Sequence, residues 1–401
     1  MKKRISIMLI IAVIFTCFGG CITALASDDA YDGENNIIAE YTALDSAAIN
    51  AKSAVLMEAT TGTLLYAKNP NEALPPASVT KIMTLLLVAE AIDEERISLT
   101  DKIFVSANAA SMGGSQIFLK EGEEFTVEEL LKSTVIASAN DAAVALGEHI
   151  AGSEAAFIDM MNKRAAELGM KNTHFENATG LDDDVTNHLT SAYDIALMSR
   201  ELISHDVILK YSNIWQDTVR NGEFTLTNTN RLVRYYSGCT GLKTGSTDKA
   251  GFCISATAER DGMHLIAVIM GSDTRDERNN SARALLDFGF ANYSIYRENE
   301  GPLEDVSVLK GKSNKVTVCN KGFSVLIEKA DAKRVEKTYN IPESINAPIK
   351  EGEVVGEVIY TIDGRELGSS DIYVMASVEK IGPIDLFCRM LLTIILGKQN
   401  F

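Results

Sequence analysis

Apolar residues fall into distinct textures along this chain. Ala54-Val55-Leu56-Met57 and Thr63-Leu64-Leu65-Tyr66 are short apolar runs on either side of Thr61-Gly62, the pattern of a β-hairpin closed by a turn glycine. From residue 78 to about residue 215 the spacing is mainly helical. Within it the run Val79 to Val88 is apolar on nearly every side, which predicts a helix buried all round. β-type runs return at 240–270, where Gly251 to Ala258 and His264 to Met270 read as strands, and residues 281–296 read as a closing helix. Two N-terminal strands and three late ones around a helical insertion predict an α+β fold, a five-stranded antiparallel sheet with helices on both sides.

After about residue 302 the texture changes again. Val306-Ser307-Val308, Lys315 to Val318, Ser324 to Ile327, Val354 to Tyr360 and Ile372 to Met375 are short β runs separated by Gly, Asn and Asp, which predicts a small all-β domain. It carries no catalytic constellation, so a spacer or protein-contact role is expected. In the last segment Ile384, Phe387, Leu391, Ile394 and Ile395 share one helical face, while Asp385, Arg389 and Lys398 interrupt the other. Ile384 to Leu396 makes about 20 Å of helix, short of the roughly 30 Å hydrocarbon core. It reads as an amphipathic anchor lying in the membrane surface, with a docking or dimer helix as the alternative.

The N-terminus adds a targeting signal. Lys2-Lys3-Arg4, the apolar stretch Ile5 to Phe18 and the small residues of Ala24-Leu25-Ala26 form a signal peptide cleaved before Ser27. A lipoprotein site at Gly19-Gly20-Cys21 is the competing reading, which Phe18 fits poorly. The division that follows is a signal peptide over 1–26, an acidic leader over 27–36, a catalytic domain over 37–300, a β-rich domain over 301–377 and an anchor helix over 378–401. Cleavage takes the net charge from −17 to −20, which argues against a nucleic-acid partner and requires any anion site to be a local cluster. Four cysteines remain in the exported chain, Cys239, Cys253, Cys319 and Cys388, with no Cys or His metal spacing, so no metal is expected. Cys239 and Cys253 flank the late hairpin and are either free thiols or a pair facing one another across it.

Three short motifs carry chemistry. Ser78-Val79-Thr80-Lys81, Ser138-Ala139-Asn140 and Lys243-Thr244-Gly245 stand in the order of the SxxK, SDN and KTG signature of class A β-lactamases and penicillin-binding proteins. Each alone is weak; a second Ser-x-Asn, Ser106-Ala107-Asn108, follows the strand-like Ile103-Phe104-Val105 and is set aside. Pro75-Pro76 before the apolar run puts Ser78 in the first turn of the buried helix, with Lys81 one turn later on the same face. A lysine in a dry, cation-rich pocket loses its proton readily, so a neutral Lys81 could accept the serine proton. Ser138 and Asn140 lie between two apolar helical runs, a loop suited to presenting hydroxyl and amide groups to a cleft. Gly245 would let substrate backbone approach an edge strand, Lys243 would hold an anion, and the Ser246 and Ser78 N–H groups would form an oxyanion hole. The histidines are outside this set: His188 reads as local structure near a turn, and His264 begins a strand.

With these motifs the chain resembles the low-molecular-mass penicillin-binding proteins that act as serine D-alanyl-D-alanine carboxypeptidases. The resemblance extends over Gly113-Gly114-Ser115, Leu119 to Glu123, Leu168-Gly169-Met170, Asn177, Gly180-Leu181 and Thr247 to Gly251, and into the β domain at Ala347-Pro348-Ile349 and Val354-Val355-Gly356. It implies a penicillin-binding, transpeptidase-like fold that removes the terminal D-Ala from peptidoglycan stem peptides, with β-lactams as covalent inhibitors and no cofactor. It also implies a location on the outer face of the cytoplasmic membrane. Carried over by residue, Ser78 is the nucleophile, Lys81 its base, Ser138 the relay to the leaving amine and Asn140 the holder of the substrate amide. Lys243 and Thr244 bind the terminal carboxylate beside Gly245 and Ser246, helped by Arg278, seven residues before Leu285. Ser246 stands where some relatives carry histidine. A class A β-lactamase would need a deacylating glutamate in a Glu-x-x-Leu-Asn-like context between 140 and 243, and none is there. A non-catalytic wall-binding protein and a D,D-endopeptidase acting on cross-links are the other readings.

Overall fold

The computed structural model describes residues 48–183 and 185–396; the expected signal peptide and acidic leader lie outside them. The central sheet has five strands, all antiparallel, in the order Leu64–Lys68, Ser53–Glu58, Met263–Ser272, Gly251–Arg260, Cys239–Thr247. Every residue of Ser53–Glu58 is buried, as befits an inner strand covered on both faces. Alternation along the inner strands divides the interior in two. Val55, Met57, Ile266, Val268 and Met270 face one core, and Ala54, Leu56, Leu265, Ala267 and Ile269 face the other.

The first core takes most of the helices between the two halves of the sheet. Lys81–Asp93 is buried at ten of its positions, which is why its sequence shows no polar face. Around it pack Val127–Ile136, Asn140–Ala151, Glu154–Glu167 and Ala192–Leu202. Val127–Ile136 begins with a capping box: the Thr126 hydroxyl accepts from the Glu129 N–H, and Glu129 reaches back to Thr126. The second core is closed by Arg275–Asn292. The sequence places this helix at 281–296, and both ends differ. Thr274 caps it with a hydrogen bond from the Glu277 N–H, so it starts earlier, and at Tyr293 the chain turns extended. Tyr293–Glu298 is a strand that pairs antiparallel with Phe323–Glu328.

Cys239 lies opposite Ala258 and Cys253 opposite Gly245, so the two thiols are not neighbours across the hairpin, and both are free. The C-terminal β region has its own core of Val306, Val308, Val318, Val358, Tyr360, Ile372 and Val374. Its larger sheet runs Gly301–Pro302, Val318–Asn320, Arg365–Val374, Val354–Ile362, Val335–Asn340. Val335–Asn340 was not among the expected strands, because all but its first residue are exposed and no apolar alternation marks it. Pro383–Leu396 is helical, with Ile384, Phe387, Leu391, Ile394 and Ile395 all exposed. No helix among the described residues is long and apolar enough to cross a membrane.

Candidate active site

Ser78, partly exposed, sits where the edge strand Cys239–Thr247 passes the start of the helical layer. A short 3-10 turn, Ala77–Thr80, precedes the Lys81–Asp93 helix, so Ser78 lies just ahead of the α-helix and Lys81 opens it. Lys81 is fully buried, and its Nζ donates to Ser78 Oγ at 2.9 Å and to the Thr179 carbonyl at 2.7 Å. The edge strand passes the same turn closely. A Cβ at Gly245 would stand 2.8 Å from Ser78 N and 2.9 Å from the Pro76 carbonyl oxygen and Val79 N, so a side chain there would push the strand off the nucleophile.

Ser138 lies between Val127–Ile136 and Asn140–Ala151 with a φ of 63°, a left-handed conformation that a non-glycine residue holds only when its surroundings impose it. Lys243, 1% exposed, donates from Nζ to Ser138 Oγ at 2.7 Å and to its neighbour's carbonyl, Thr244 O, at 2.9 Å. Two serine–lysine pairs therefore converge here, Ser78 with Lys81 and Ser138 with Lys243. Asn140 donates from Nδ2 to the Gly113 carbonyl at 2.7 Å, while its buried Oδ1 has no partner among the described residues. An acceptor left open in a cleft is suited to a ligand N–H. Thr244 Oγ1 donates to Thr229 Oγ1 at 2.8 Å.

Burial is the dominant electrostatic cause at both lysines. It lowers Lys81 well below the ordinary lysine range, assisted by the charge of Lys243 and opposed by Asp141. Lys243 is lowered to about 7 by burial and by Arg278. Both shifts favour the neutral amine, the form able to take a proton. Arg278 is buried and lowered to about 10, mainly by desolvation. Its guanidinium reaches Asn279 Oδ1 at 2.9 and 3.2 Å and the Cys253 carbonyl at 3.5 Å, so its hydrogen bonds run to the neighbouring strand and its own helix. It acts on Lys243 through charge.

Ser78, Lys81, Ser138, Asn140, Lys243, Thr244 and Gly245 are thus brought together, and Ser246 follows Gly245 on the edge strand. The other Ser-x-Asn is elsewhere: Ser106 caps a short helix at Ala107–Ala110, and its hydroxyl donates to Glu148 at 2.5 Å. Sequence reasoning gave no role to Thr179, which acts through its carbonyl and so leaves no side-chain signal. The loop carrying it is pinned by Asn177 Oδ1, which accepts from Gly180 N at 2.7 Å and Thr179 N at 3.1 Å. At Gly180, with a φ of 83°, a Cβ would fall 1.8 Å from the Ala77 carbonyl oxygen. Away from the cleft, Glu90, Glu201 and His205 are close enough to share a metal ion, but Arg164 already bonds both glutamates at 2.7 Å.

Comparison with known proteins places this geometry in context. A family model described as D-alanyl-D-alanine carboxypeptidase matches residues 40–274, and one described as the penicillin-binding protein 5 C-terminal domain matches residues 290–380. The D-alanyl-D-alanine carboxypeptidase DacF of Bacillus subtilis is 44% identical over 347 residues, covering 84% of this chain and 88% of that protein. Penicillin-binding protein 5 of Haemophilus influenzae is 32% identical with a TM-score of 0.68, covering 83% of this chain and 98% of the other. Penicillin-binding protein D2 of Listeria monocytogenes, solved in an ampicillin-bound form, is 33% identical with a TM-score of 0.56, over 60% of this chain and 98% of its own.

His188 ties the loop to the nucleophile turn. Its Nδ1 accepts from the Glu176 N–H at 2.9 Å, so Nε2 carries the proton and donates to Thr80 Oγ1 at 2.7 Å. Burial lowers its pKa to about 4. The unfolded chain therefore binds a proton that the folded one refuses between about pH 6.5 and pH 4. The contribution of His188 is complete above that window and is lost as pH falls through it, by up to about 3 kcal/mol. In urea denaturation at pH 7 and pH 4.5, His188→Gln is expected to lose less stability on acidification than the parent. An equal loss in both proteins would contradict the neutral bridging role.

Proposed function

This chain belongs to the D-alanyl-D-alanine carboxypeptidase family of serine peptidases, and on that premise we propose how its own residues carry the reaction. The enzyme removes the terminal D-Ala from peptidoglycan stem peptides. Lys243 and Thr244 receive the terminal carboxylate, and Asn140 Oδ1 accepts an amide N–H of the peptide. Neutral Lys81 takes the Ser78 proton as Oγ attacks the carbonyl of the penultimate D-Ala. The Ser78 and Ser246 N–H groups face the oxyanion. Ser138 passes a proton to the leaving amine and is resupplied, through Lys243, with the proton that Lys81 took from Ser78, so that Lys81 is neutral again. The C–N bond breaks, D-Ala leaves, and the peptide remains as an ester on Ser78. Water, losing a proton to Lys81, then hydrolyses the ester and restores the serine. The observation that carries this reading is the 2.9 Å contact between the buried Lys81 Nζ and Ser78 Oγ.

Penicillins acylate the same Ser78, in keeping with the ampicillin-bound Listeria relative. The exact sequence Glu-x-x-Leu-Asn does not occur between 140 and 243, and the nearest match, Glu223-Phe224-Thr225-Leu226, leaves its glutamate exposed, which supports slow release of that adduct. Incubated with a stem pentapeptide, the full chain is expected to release D-Ala, and Ser78→Ala to lose at least about a thousandfold of that rate. The parent should form a penicilloyl adduct that outlasts many turnovers of the peptide. D-Ala release by Ser78→Ala, or rapid turnover of penicillin by the parent, would remove the assignment.

The proposed organisation is a catalytic domain over 37–300, a β-rich spacer over 301–377 and an amphipathic helix over 378–401, in a chain exported by residues 1–26. Exposed Ile384, Phe387, Leu391 and Ile394 supply an apolar face for the outer surface of the cytoplasmic membrane. The purified protein is expected to sediment with phospholipid vesicles, and a chain ending at Ile381 to stay in the supernatant with its carboxypeptidase activity intact. Equal sedimentation of both would exclude the helix as anchor.

A further inference from the structure

Asp141 is a buried charge that the mechanism above leaves unused. It follows Asn140 at the start of the Asn140–Ala151 helix and is 1% exposed. Its carboxylate accepts from the backbone N–H groups of Ile117 at 3.1 and 3.2 Å, Leu119 at 3.0 Å and Ala142 at 2.9 Å. Arg220 holds the same segment through its carbonyls, donating to Phe118 O at 3.1 Å and Ile117 O at 3.4 Å, and it pairs with Glu123 at 3.0 Å. The segment so clamped carries Gly113 and Ser115, whose carbonyls accept from Asn140 Nδ2 and Asn140 N, each at 2.7 Å.

The charges around Lys81 point to the same residue. Lys243 on the edge strand, Asp141 on the Asn140–Ala151 helix and His188 before the Ala192–Leu202 helix act on or feel Lys81, and Arg278 acts on Lys243. Asp141 is the one anion of that group, and Arg220 also feels its charge. Burying a carboxylate is unfavourable unless donors compensate it, and three backbone donors are spent on this one.

We propose that Asp141 is a positioning residue of the reaction: its carboxylate fixes the 113–119 segment that orients Asn140, and its negative charge acts on Lys81. The inference rests on the roles given above to Ser78, Lys81 and Asn140. Its geometric half predicts that loosening the segment weakens substrate binding through Asn140. Its electrostatic half has a definite sign. A nearby anion holds the proton on Lys81, so removing it lets Lys81 become neutral at lower pH, and acylation starts at lower pH. The amine is then also a weaker base, so the plateau rate falls.

The test uses the full chain with Asp141→Asn, Asp141→Glu, Arg220→Gln and Ser78→Ala. The second-order rate of labelling by a fluorescent penicillin is followed from about pH 5 to about pH 10, and KM and kcat for D-Ala release are measured separately. Asp141→Asn is expected to move the acid limb of acylation down by about one pH unit and to raise KM about tenfold. Asp141→Glu keeps the charge while displacing the oxygens, so it should raise KM with the limb in place, as should Arg220→Gln. Asp141→Asn with the parent's limb and KM would overturn the proposal. Should that variant fail to fold, parent-like KM values in both Asp141→Glu and Arg220→Gln would overturn it equally. Labelling that survives in Ser78→Ala would instead remove the nucleophile assignment on which the inference stands.

Discussion

Two buried lysines, each donating to a serine hydroxyl, set the terms for the rest of this structure. An ammonium taken out of water loses several kcal/mol of solvation, and two placed near each other add mutual repulsion. The protein meets this by letting both amines shift toward the neutral form, Lys243 to about 7 and Lys81 well below the ordinary lysine range. Chemistry follows directly, because a neutral amine 2.9 Å from Ser78 Oγ can take its proton. No histidine is needed for that step.

Holding the two pairs together requires three separate pieces of backbone. The turn Ala77–Thr80 and the start of the helix after it bring Ser78 and Lys81, the loop after Val127–Ile136 brings Ser138, and the edge strand brings Lys243. Each is fixed by contacts that a side chain in the wrong place would break. Gly245 lets the strand lie against the nucleophile turn, and Gly180 lets the Thr179 loop lie against Ala77. Ser138 keeps a left-handed backbone between two buried helices. The five-stranded sheet and its two cores supply the rigidity against which these constraints act, and the β region beyond residue 300 adds none of the cleft residues.

Much of this was readable in the chain because the relevant signals are local. The buried helix after Ser78 announces itself by a run without polar faces, and the three late strands by their apolar alternation. The serine, asparagine and lysine positions are marked by motif order, and local context, helical runs around Ser138 against a strand-like run before Ser106, chose between the two Ser-x-Asn sequences. What escaped was non-local or carried by backbone. The Thr179 carbonyl reaches Lys81 across 98 positions. Asp141 looks like an ordinary first-turn acid until its donors from Ile117 and Leu119 are seen. The strand Val335–Asn340 has almost no buried face, and the closing helix starts earlier than its apolar stripe because Thr274 caps it.

The central claim is that Lys81 is a neutral amine in the working pH range and that Lys243 titrates near neutrality. Proton titration of the full chain labelled with carbon-13 at the lysine Cε positions measures this directly, the two signals being assigned with Lys81→Ala and Lys243→Ala. The account predicts a midpoint of about 7 for Lys243 and one well below the ordinary 10.5 for Lys81. Both lysines titrating near 10.5, as ammonium groups throughout neutral pH, would contradict it.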